Sequence, residues 1–437
     1  MLLKRAQSVA AKAAGAGGVS DMKLDLTDML YALSFALDKV EAELLGVVTG
    51  HGKRVAYLAL LMGKAAGMEE VELRDFIGCC LLHDNALTEF IYDELSGSPM
   101  LDELPVDICD LAERNKPKFE HDHSVTGEEN IRLLPFRTDV KNIILYHHEN
   151  ADGTGALGMT SGQTKLKAQI LHLIDTMDAT LQFHLEAMTP RQYEEMCAWV
   201  KAREGQLFSG EVVTLFLRAV TYDKIACTQG RNLIDCLHEE LHKEVLDYSD
   251  EEVRNIARLF AKIVDYKSEF TQNHSRGVAH MAERMAHYYG FDAEKAIRFY
   301  FAGAMHDIGK LAIDNDILEK PGKLTVSEYA QMKDHAEATY YILSQMGEIP
   351  DIVAWASNHH EKLNGRGYPR GLTEKELSFE DQLMACIDIY RALRDERPYK
   401  DGLSHEKSIE IMRAMAGRGE LNGEIIRDID AVMGQGA

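Results

Sequence analysis

Residues 306–310 read HDIGK. The adjacent residues His306 and Asp307 place an imidazole and a carboxylate at the same point on a predicted helix. That combination suits a metal site in which the carboxylate bridges two ions. Lys310 follows His306 by four residues, on the same helical face, where its ammonium can meet a phosphate oxygen. The stretch therefore predicts a metal site in a helical domain, with a phosphate-binding cation beside it.

A second adjacent pair, His359-His360, opens the segment HHEKLNGRGYP at residues 359–369. Two neighbouring imidazoles can give another ion two nitrogen ligands. The glycines and the proline at the end of the segment are typical of a tight turn. The full set, in this order, is much stronger evidence for a metal site than a single His-Asp pair.

The ligand-type residues of the C-terminal half have counterparts in the N-terminal half. His51, His83 and Asp84 lie 223 residues before His274, His306 and Asp307. His123, His147 and His148 lie 212 residues before His335, His359 and His360, and Asp175 lies 213 residues before Asp388. Seven residues in the same order in both halves predict a tandem duplication.

Helices are predicted nearly throughout the chain, because apolar residues recur at i, i+3, i+4 and i+7 and no sustained alternation appears. The fold class is therefore all-α. Thr325 and Glu328 predict a capping box at the start of a helix. We expect a tail at residues 1–20, a first copy at 21–220, a helical connector at 221–250 and a second copy at 251–437.

Composition limits the classes of partner. The 437 residues are 46% hydrophobic and 27% charged, which indicates a globular protein of about two domains. A formal charge of −23 argues against a nucleic-acid polymer or an anionic membrane as partner. The seven cysteines form no C-x-x-C pair, and no apolar run approaches a membrane span. Lys12 interrupts the N-terminal apolar stretch, so we expect a cytoplasmic protein with reduced thiols.

Residues 251–437 resemble an HD-GYP domain, a branch of the HD phosphohydrolase superfamily that hydrolyses cyclic dinucleotides, above all cyclic di-GMP. Beyond the two segments already quoted, the resemblance rests on FTQNHSRGV (270–278), KPGKLT (320–325), MKDH (332–335), CIDIYRAL (386–393) and RPYK (397–400). It implies two tandem HD-superfamily helical domains, of which the second is catalytic.

The resemblance implies a dinuclear centre bridged by Asp307. It assigns the metal ligands to His274, His306, Asp307, His335, His359, His360 and Asp388. A sphere of imidazoles and carboxylates without thiolate suits two divalent ions, with Fe or Mn favoured, Zn open and Mg disfavoured. Some family members carry a glutamate for a third metal, but this chain has Phe270 at that position and Val47 in the first copy.

Substrate contacts are also implied by the resemblance. Asp307 and Lys310 are the expected catalytic residues, and the expected substrate-binding residues are Lys310, Arg366, Gly367, Tyr368, Pro369 and Arg391. Three positions depart from the family pattern: Asn364 replaces an aspartate, Arg366 precedes Gly367, and Arg391 stands where an aspartate is common. An added cation near the pocket can favour phosphate binding or alter the nucleobase preference.

The first copy keeps a second possible metal site, made of His51, His83, Asp84, His123, His147, His148 and Asp175. However, Leu87 replaces the lysine, and Ala156-Leu157 replace the Tyr-Pro turn. This copy is either a degenerate regulatory or dimerisation domain, through which a homodimer or a signalling partner would bind, or a metal-loaded domain with its own activity. We expect it to bind metal but to hydrolyse cyclic di-GMP poorly.

The leading hypothesis is a metal-dependent phosphodiesterase that hydrolyses cyclic di-GMP to the linear dinucleotide pGpG, with GMP as a further product to be tested. Two alternatives stay open: a phosphodiesterase for 3',3'-cyclic GMP-AMP, and a non-catalytic receptor for a cyclic dinucleotide. A phosphohydrolase for mononucleotides is disfavoured, because such enzymes generally lack the Gly-Tyr-Pro turn.

Overall fold

The computed structural model describes residues 22–45, 50–87, 89, 116–229, 231–267, 274–318, 320, 322–347, 349–395 and 402–434. The expectations for the tail at 1–20, for Val47, for Phe270 and for RPYK at 397–400 lie outside these residues. The chain divides into two compact units. Asp25–Glu244 form the first unit, and the strand at 22–24 belongs with the residues from Val245 onward to the second.

The first unit is built from helices around a core of Leu, Ile, Val and Met side chains. Its helices are α1 (Leu26–Leu45), α2 (His51–Ala65), α3 (Glu70–Leu81), α4 (Lys116–Ile131), α5 (Leu166–Leu181), α6 (Pro190–Lys201), α7 (Gly210–Ala219), α8 (Tyr222–Ala226) and α9 (Leu233–Glu240), with a 3₁₀ turn at Leu185–Ala187. Helix α2 packs against α3 and α5 and lies almost wholly inside. These three helices carry four of the seven ligand-type positions or end beside them.

The second unit repeats this plan. Its helices are α10 (Asp250–Tyr266), α11 (His274–Tyr289), α12 (Ala293–Met305), α13 (Asn315–Leu318), α14 (Val326–Ser344), α15 (Pro350–Ser357), α16 (Phe379–Arg394), α17 (His405–Gly417) and α18 (Gly423–Met433), with a 3₁₀ turn at Ile308–Ala312. Helix α11 packs against α12 and α16, and α14 packs against α15 and the 3₁₀ turn. The all-α fold class is therefore confirmed.

Capping residues fix where the helices of the second unit begin. The predicted box at Thr325 is confirmed, because its side chain accepts from the Glu328 N–H while Glu328 accepts from Thr325 N–H. Ser378 and Asp381 form a second box at the start of α16, which fixes the register of the helix that carries Asp388. Each such cap is worth about 1 kcal/mol.

A short two-stranded sheet departs from the helical prediction. Strand β1 (Met22–Leu24) pairs antiparallel with β2 (Leu246–Tyr248), in the register Met22 opposite Tyr248 and Leu24 opposite Leu246. Three residues per strand are too few to leave a readable alternation in the sequence. Because β2 lies after Val245, this pairing explains why β1 belongs to the second unit although it precedes the first, and Met22 and Leu24 are buried.

The predicted connector at 221–250 contains helices α8 and α9 and strand β2. Helices α8 and α9 lie within the first unit, since Ile225, Leu233 and Leu237 are buried there, and the division falls at residues 244 and 245. The predicted domain limits stay a prediction. Across the described part of the chain, no helix combines the length and the apolar character that a membrane crossing requires.

Candidate metal centres

The seven predicted ligands of the second copy come from five separate positions along the chain, and the fold brings them together. His274 begins α11, His306 and Asp307 follow the end of α12, and His335 lies within α14. His359 and His360 follow α15, and Asp388 lies in α16. All are buried except His360, whose side chain is 27% exposed and marks the open side of the site.

The carboxylate of Asp307 lies at the centre of this group. Its Oδ2 is 3.2 Å from Nε2 of His306, whereas its Oδ1 is 3.6 Å from Nε2 of His335 and 3.8 Å from Nε2 of His359. The two oxygens therefore face two different sets of imidazoles. A carboxylate in this position can bridge two ions.

Asp388 closes the other side. Its Oδ1 is 3.2 Å from Nε2 of His274 and 3.8 Å from Nε2 of His306, and its Oδ2 is 4.0 Å from Nδ1 of His360. Ligand-type atoms within 4.8 Å of one another form three overlapping groups. These are His274-His306-Asp388, His306-Asp307-His359 and His335-His359-His360.

Backbone carbonyls orient three of the imidazoles. Nδ1 of His306 lies 2.8 Å from the carbonyl oxygen of Gly303, and the Nδ1 atoms of His335 and His359 each lie 2.6 Å from a carbonyl oxygen one turn earlier. When Nδ1 donates its proton to a carbonyl, Nε2 carries the free lone pair.

The Nε2 atoms of these three histidines are buried and have no hydrogen-bond partner among the described residues. Buried polar atoms without partners are costly, and a metal ion would satisfy all three at once. The residues present therefore fit a divalent metal centre.

The electrostatics favour ligand-ready protonation states. Burial, followed by repulsion from neighbouring imidazoles, lowers the pKa of His359 well below its usual value. Burial likewise lowers the pKa of His360 to about 3, so both rings are neutral near pH 7. Burial alone would raise the pKa of Asp388, but the hydrogen bond from His274 and the nearby imidazoles hold it below its usual range. The rings of His359 and His360 are thus neutral and Asp388 is ionised. His274 differs, because burial lowers the pKa of its imidazole but the hydrogen bonds to Asp388 and Asp395 raise it to about 9.

The turn that carries Lys310 is not the continuous helix that its spacing predicts. Helix α12 ends at Met305, and residues 308–312 form a 3₁₀ turn. The turn packs so closely on α14 that a Cβ at Gly309 would lie 1.9 Å from the carbonyl oxygen of His335. Lys310 consequently reaches back, and its Nζ lies 2.6 Å from Oδ2 of Asp307. The lysine is therefore at the bridging carboxylate, which spacing alone could not indicate.

The loop after His360 is organised by Glu361, to which the sequence analysis assigned no role. This carboxylate is buried and accepts hydrogen bonds from the backbone N–H groups of Arg370, Gly371 and Leu372, at 2.7, 3.0 and 2.9 Å. The backbone passes so close to Glu361 that a Cβ at Gly367 would lie 2.4 Å from its Cα. Both features bend the loop back onto the site.

The predicted substrate residues of this loop lie at different depths. The Tyr368 ring packs on His360, with 4.7 Å between centroids, and the Tyr368–Pro369 peptide is cis. Arg366 is exposed. Lys333, which sequence reasoning did not name, lies with its Nζ 5.8 Å from the Tyr368 centroid and 5.4 Å from that of Tyr329. The loop and α14 thus place aromatic rings and a cation next to the exposed ligand.

The first copy brings its own seven residues together in the same pattern. Oδ2 of Asp84 is 3.5 Å from Nε2 of His83, whereas its Oδ1 is 3.7 Å from Nε2 of His123 and 4.0 Å from that of His147. The Nδ1 atoms of these histidines again lie near backbone carbonyl oxygens. The groups His51-His83-Asp84 and His123-His147-His148 satisfy the same distance criterion as in the second copy, and Nε2 of His51 is 3.2 Å from Asp175.

The second copy adds two features that the first lacks. Leu87, at the position of Lys310, is buried and offers no charge to Asp84. The loop after His148 is also held by a glutamate, because Glu149 accepts hydrogen bonds from the N–H groups of Leu157 and Met159. However, Ala156 and Leu157 stand there in place of Tyr368 and Pro369. The metal-ligand geometry is therefore duplicated, whereas the lysine and the aromatic ring are not.

Comparison with known proteins agrees with this duplication. Residues 48–180 and residues 258–425 each match the HD domain family. A protein named 3'3'-cGAMP-specific phosphodiesterase 1, from Vibrio cholerae serotype O1, is 28% identical over 412 residues, which cover 93% of this chain and 91% of that protein. The cyclic di-GMP phosphodiesterase response regulator RpfG of Xanthomonas campestris pv. campestris is 32% identical over 184 residues, 42% of this chain and 48% of that protein.

A solved structure has the same overall fold. The crystal structure of a cyclic GMP-AMP specific phosphodiesterase of V. cholerae superposes with a TM-score of 0.64 at 22% identity, covering 94% of this chain and 98% of that one. At this identity the likeness concerns the fold alone. The all-helical fold of this chain is therefore found, over nearly its whole length, in a solved structure.

Proposed function

This chain belongs to the HD domain family, with two HD domains in tandem, and we propose that it is a metal-dependent phosphodiesterase acting on a cyclic dinucleotide. The observation that carries the proposal is the bridging position of Asp307, whose two oxygens face different imidazoles. Two divalent ions held there, with Fe or Mn favoured by the nitrogen and carboxylate donors, would supply Lewis-acid charge and a nucleophilic hydroxide.

The residues of the chain have distinct tasks in this function. Asp307 and Asp388 bring two negative charges to the centre and would balance part of the charge of two bound ions. Lys310, bound to Asp307, places an ammonium at the edge of the centre, within reach of a non-bridging phosphate oxygen. Tyr368 offers an aromatic face next to His360, where a nucleobase can stack, and Lys333 adds a positive charge near that ring.

Local charges matter because the chain as a whole repels its substrate. With a formal charge of −23, the long-range field opposes a ligand that carries two phosphates. Three cations supply local positive charge: Lys310 contacts Asp307, Lys333 lies near the Tyr368 ring, and the exposed Arg366 belongs to the loop after His360. Binding should therefore depend on salt concentration through these few cations.

We infer that 3',3'-cyclic GMP-AMP is the preferred substrate. Support comes from the relative that matches both HD domains along nearly its whole length and carries the name of a phosphodiesterase specific for this nucleotide. Cyclic di-GMP, the leading substrate expected from the sequence, is the second candidate, because phosphodiesterases named for it match somewhat less than half of this chain at 31–32% identity.

The test is hydrolysis by full-length protein loaded anaerobically with iron or manganese. The two cyclic dinucleotides are compared at equal concentration, and the linear product is resolved by chromatography. His306→Asn should abolish turnover, whereas the matched variant His83→Asn in the first copy should retain most of it. Tight binding of both nucleotides without turnover under either metal would favour a receptor and defeat the proposal.

We also propose that the first copy holds metal but contributes little hydrolysis. Its imidazoles and carboxylates repeat the bridging geometry, but Leu87 cannot offer a charge to a phosphate. Elemental analysis of full-length His306→Asn and His83→Asn proteins tests this, because each variant should lose metal from one copy only. A cytoplasmic location, and a dimer or signalling partner at the first copy, stay predictions.

A further inference from the structure

The first histidine of each ligand set is held by an aspartate, but the two copies use different positions for it. In the first copy, Nδ1 of His51 lies 2.7 Å from Oδ2 of Asp178. In the second copy, Nδ1 of His274 lies 2.8 Å from Oδ2 of Asp395. Asp178 follows the ligand Asp175 by three residues, whereas Asp395 follows Asp388 by seven. The second copy therefore takes its aspartate from one helical turn further along.

An arginine holds the aspartate in the first copy. Arg54, one turn after His51 on α2, is 2% exposed and contacts both oxygens of Asp178, with Nε 2.8 Å from Oδ1 and Nη2 2.8 Å from Oδ2. Such a two-point contact fixes the plane of the carboxylate. The carboxylate in turn fixes the ring of His51.

In the second copy the arginine lies on the other helix, α16, which also carries the ligand Asp388. The position of Arg54 is Gly277, and the position of Asp178 is Arg391. The Arg391 guanidinium lies against Gly277, where an added Cβ would be 2.6 Å from Nη2 and 2.9 Å from Cζ. Nη2 of Arg391 donates to Oδ1 of Asp395 at 2.5 Å. Arg391 on α16 thus binds Asp395 as Arg54 on α2 binds Asp178 in the first copy, although the helix that corresponds to α2 in the second copy is α11.

We propose that Arg391 and Asp395 are positioning residues that orient His274 as a metal ligand, and that Gly277 makes room for the guanidinium. Asp395 accepts the Nδ1 proton, so Nε2, which lies 3.2 Å from Oδ1 of Asp388, would carry the lone pair that a metal ion needs. Arg391 keeps Asp395 in this orientation and balances its charge. The arginine that departs from the family pattern therefore acts through the metal ligand and not on a phosphate. This inference rests on the metal centre of the proposed function.

Binding of Co(II) as a spectroscopic probe tests the proposal without measuring hydrolysis. The measurements use full-length protein in which His83→Asn and Asp84→Asn remove metal from the first copy. Asp395→Ala and Arg391→Ala should weaken Co(II) binding by about 10–100-fold and change its visible spectrum, as losses of such outer contacts typically do. In the hydrolysis assay, KM for the cyclic dinucleotide should change less than threefold.

Gly277→Ala isolates the steric part of the arrangement. Its Cβ would push the flexible guanidinium away from Asp395, so Co(II) binding should fall by an intermediate factor. Gly417→Ala is the matched control, because that helical glycine has no atom within 4 Å of an added Cβ. The control should bind Co(II) as the parent does.

Rescue separates positioning from a general role in folding. Gly277→Arg alone should lose Co(II) binding because two guanidinium groups would compete for one space. Gly277→Arg combined with Arg391→Asp rebuilds the pair of the first copy and should restore binding to within about threefold of the parent. A raised KM with unchanged Co(II) binding in Arg391→Ala would overturn the proposal in favour of a phosphate contact. Intact Co(II) binding with no hydrolysis in the parent would instead defeat only the proposed function.

Discussion

One hydroxyl group, that of Thr339, holds the His306–Lys310 turn against α14. Thr339 is fully buried, and its Oγ1 donates to the carbonyl oxygen of His306 at 3.0 Å. Oγ1 of Thr339 also accepts from the N–H of Gly309 at 3.0 Å. Thr339→Val keeps the shape of the side chain but leaves two buried backbone groups unpaired. We therefore expect a large loss of stability from a change of one oxygen to one methyl group.

The magnitude follows from those two groups. A buried polar group left without its partner costs about 1–3 kcal/mol, so the pair should cost about 2–4 kcal/mol after partial relaxation. For a unit of about 200 residues, this corresponds to a fall in Tm of roughly 4–16 °C. Metal affinity should fall as well, because the turn carries both His306 and Asp307.

Calorimetry of the full-length metal-free protein measures the effect on the transition of the second unit. Thr339→Ser is the matched control: it keeps the hydroxyl and loses only a methyl group, which costs about 1 kcal/mol. If Thr339→Val unfolds at the same temperature as Thr339→Ser, or above it, the hydroxyl does not hold the turn and the reasoning is refuted.

Three further changes test other parts of the second copy. Lys310→Met should lower kcat/KM by roughly 10²–10³, because a phosphate oxygen loses its cationic partner. Bound metal should be retained, since the ammonium 2.6 Å from Asp307 competes with the ions for that carboxylate. A metal-free variant would contradict this. Glu361→Ala should lower the free energy of unfolding, measured in urea, by about 2–4 kcal/mol and reduce turnover, because three backbone N–H groups lose their acceptor. The matched variant Glu149→Ala in the first copy should leave turnover unchanged. Asp265→Asn should stabilise the metal-free protein by about 2–3 kcal/mol at pH 7 and hardly at all at pH 4, because burial raises the pKa of Asp265 to about 6. Between pH 4 and 6 the folded state binds more protons than the unfolded state, so wild-type stability falls as pH rises through that window. Equal stabilisation at both pH values would rule this out.

The sequence by itself determined the fold class and the duplication. Helical periodicity is a local property, so the all-α prediction needed no tertiary information, and the box at Thr325 was readable from two residues, Thr325 and Glu328. The order of His51, His83-Asp84 and their counterparts revealed two copies because spacing survives when surrounding residues change. The three-residue strands carried too little pattern to be read.

Tertiary structure decided how the site residues act on one another. The spacing of His306 and Lys310 predicted a shared helical face, but close packing of Gly309 on α14 ends the helix and turns Lys310 onto Asp307. Glu361 works through backbone N–H groups up to 11 residues away, which no local pattern encodes.

The exchange of Arg54 and Asp178 for Gly277 and Arg391 shows the difference most clearly. In the sequence, Arg391 is only a departure from a family pattern, and Gly277 is one glycine among 33. In the fold they face each other across two helices, and the guanidinium occupies the space that the missing Cβ leaves. Sequence spacing records which ligands a chain has, because each ligand is a fixed residue type. Which group holds each ligand in place depends on distances between helices, and only the packed structure sets these.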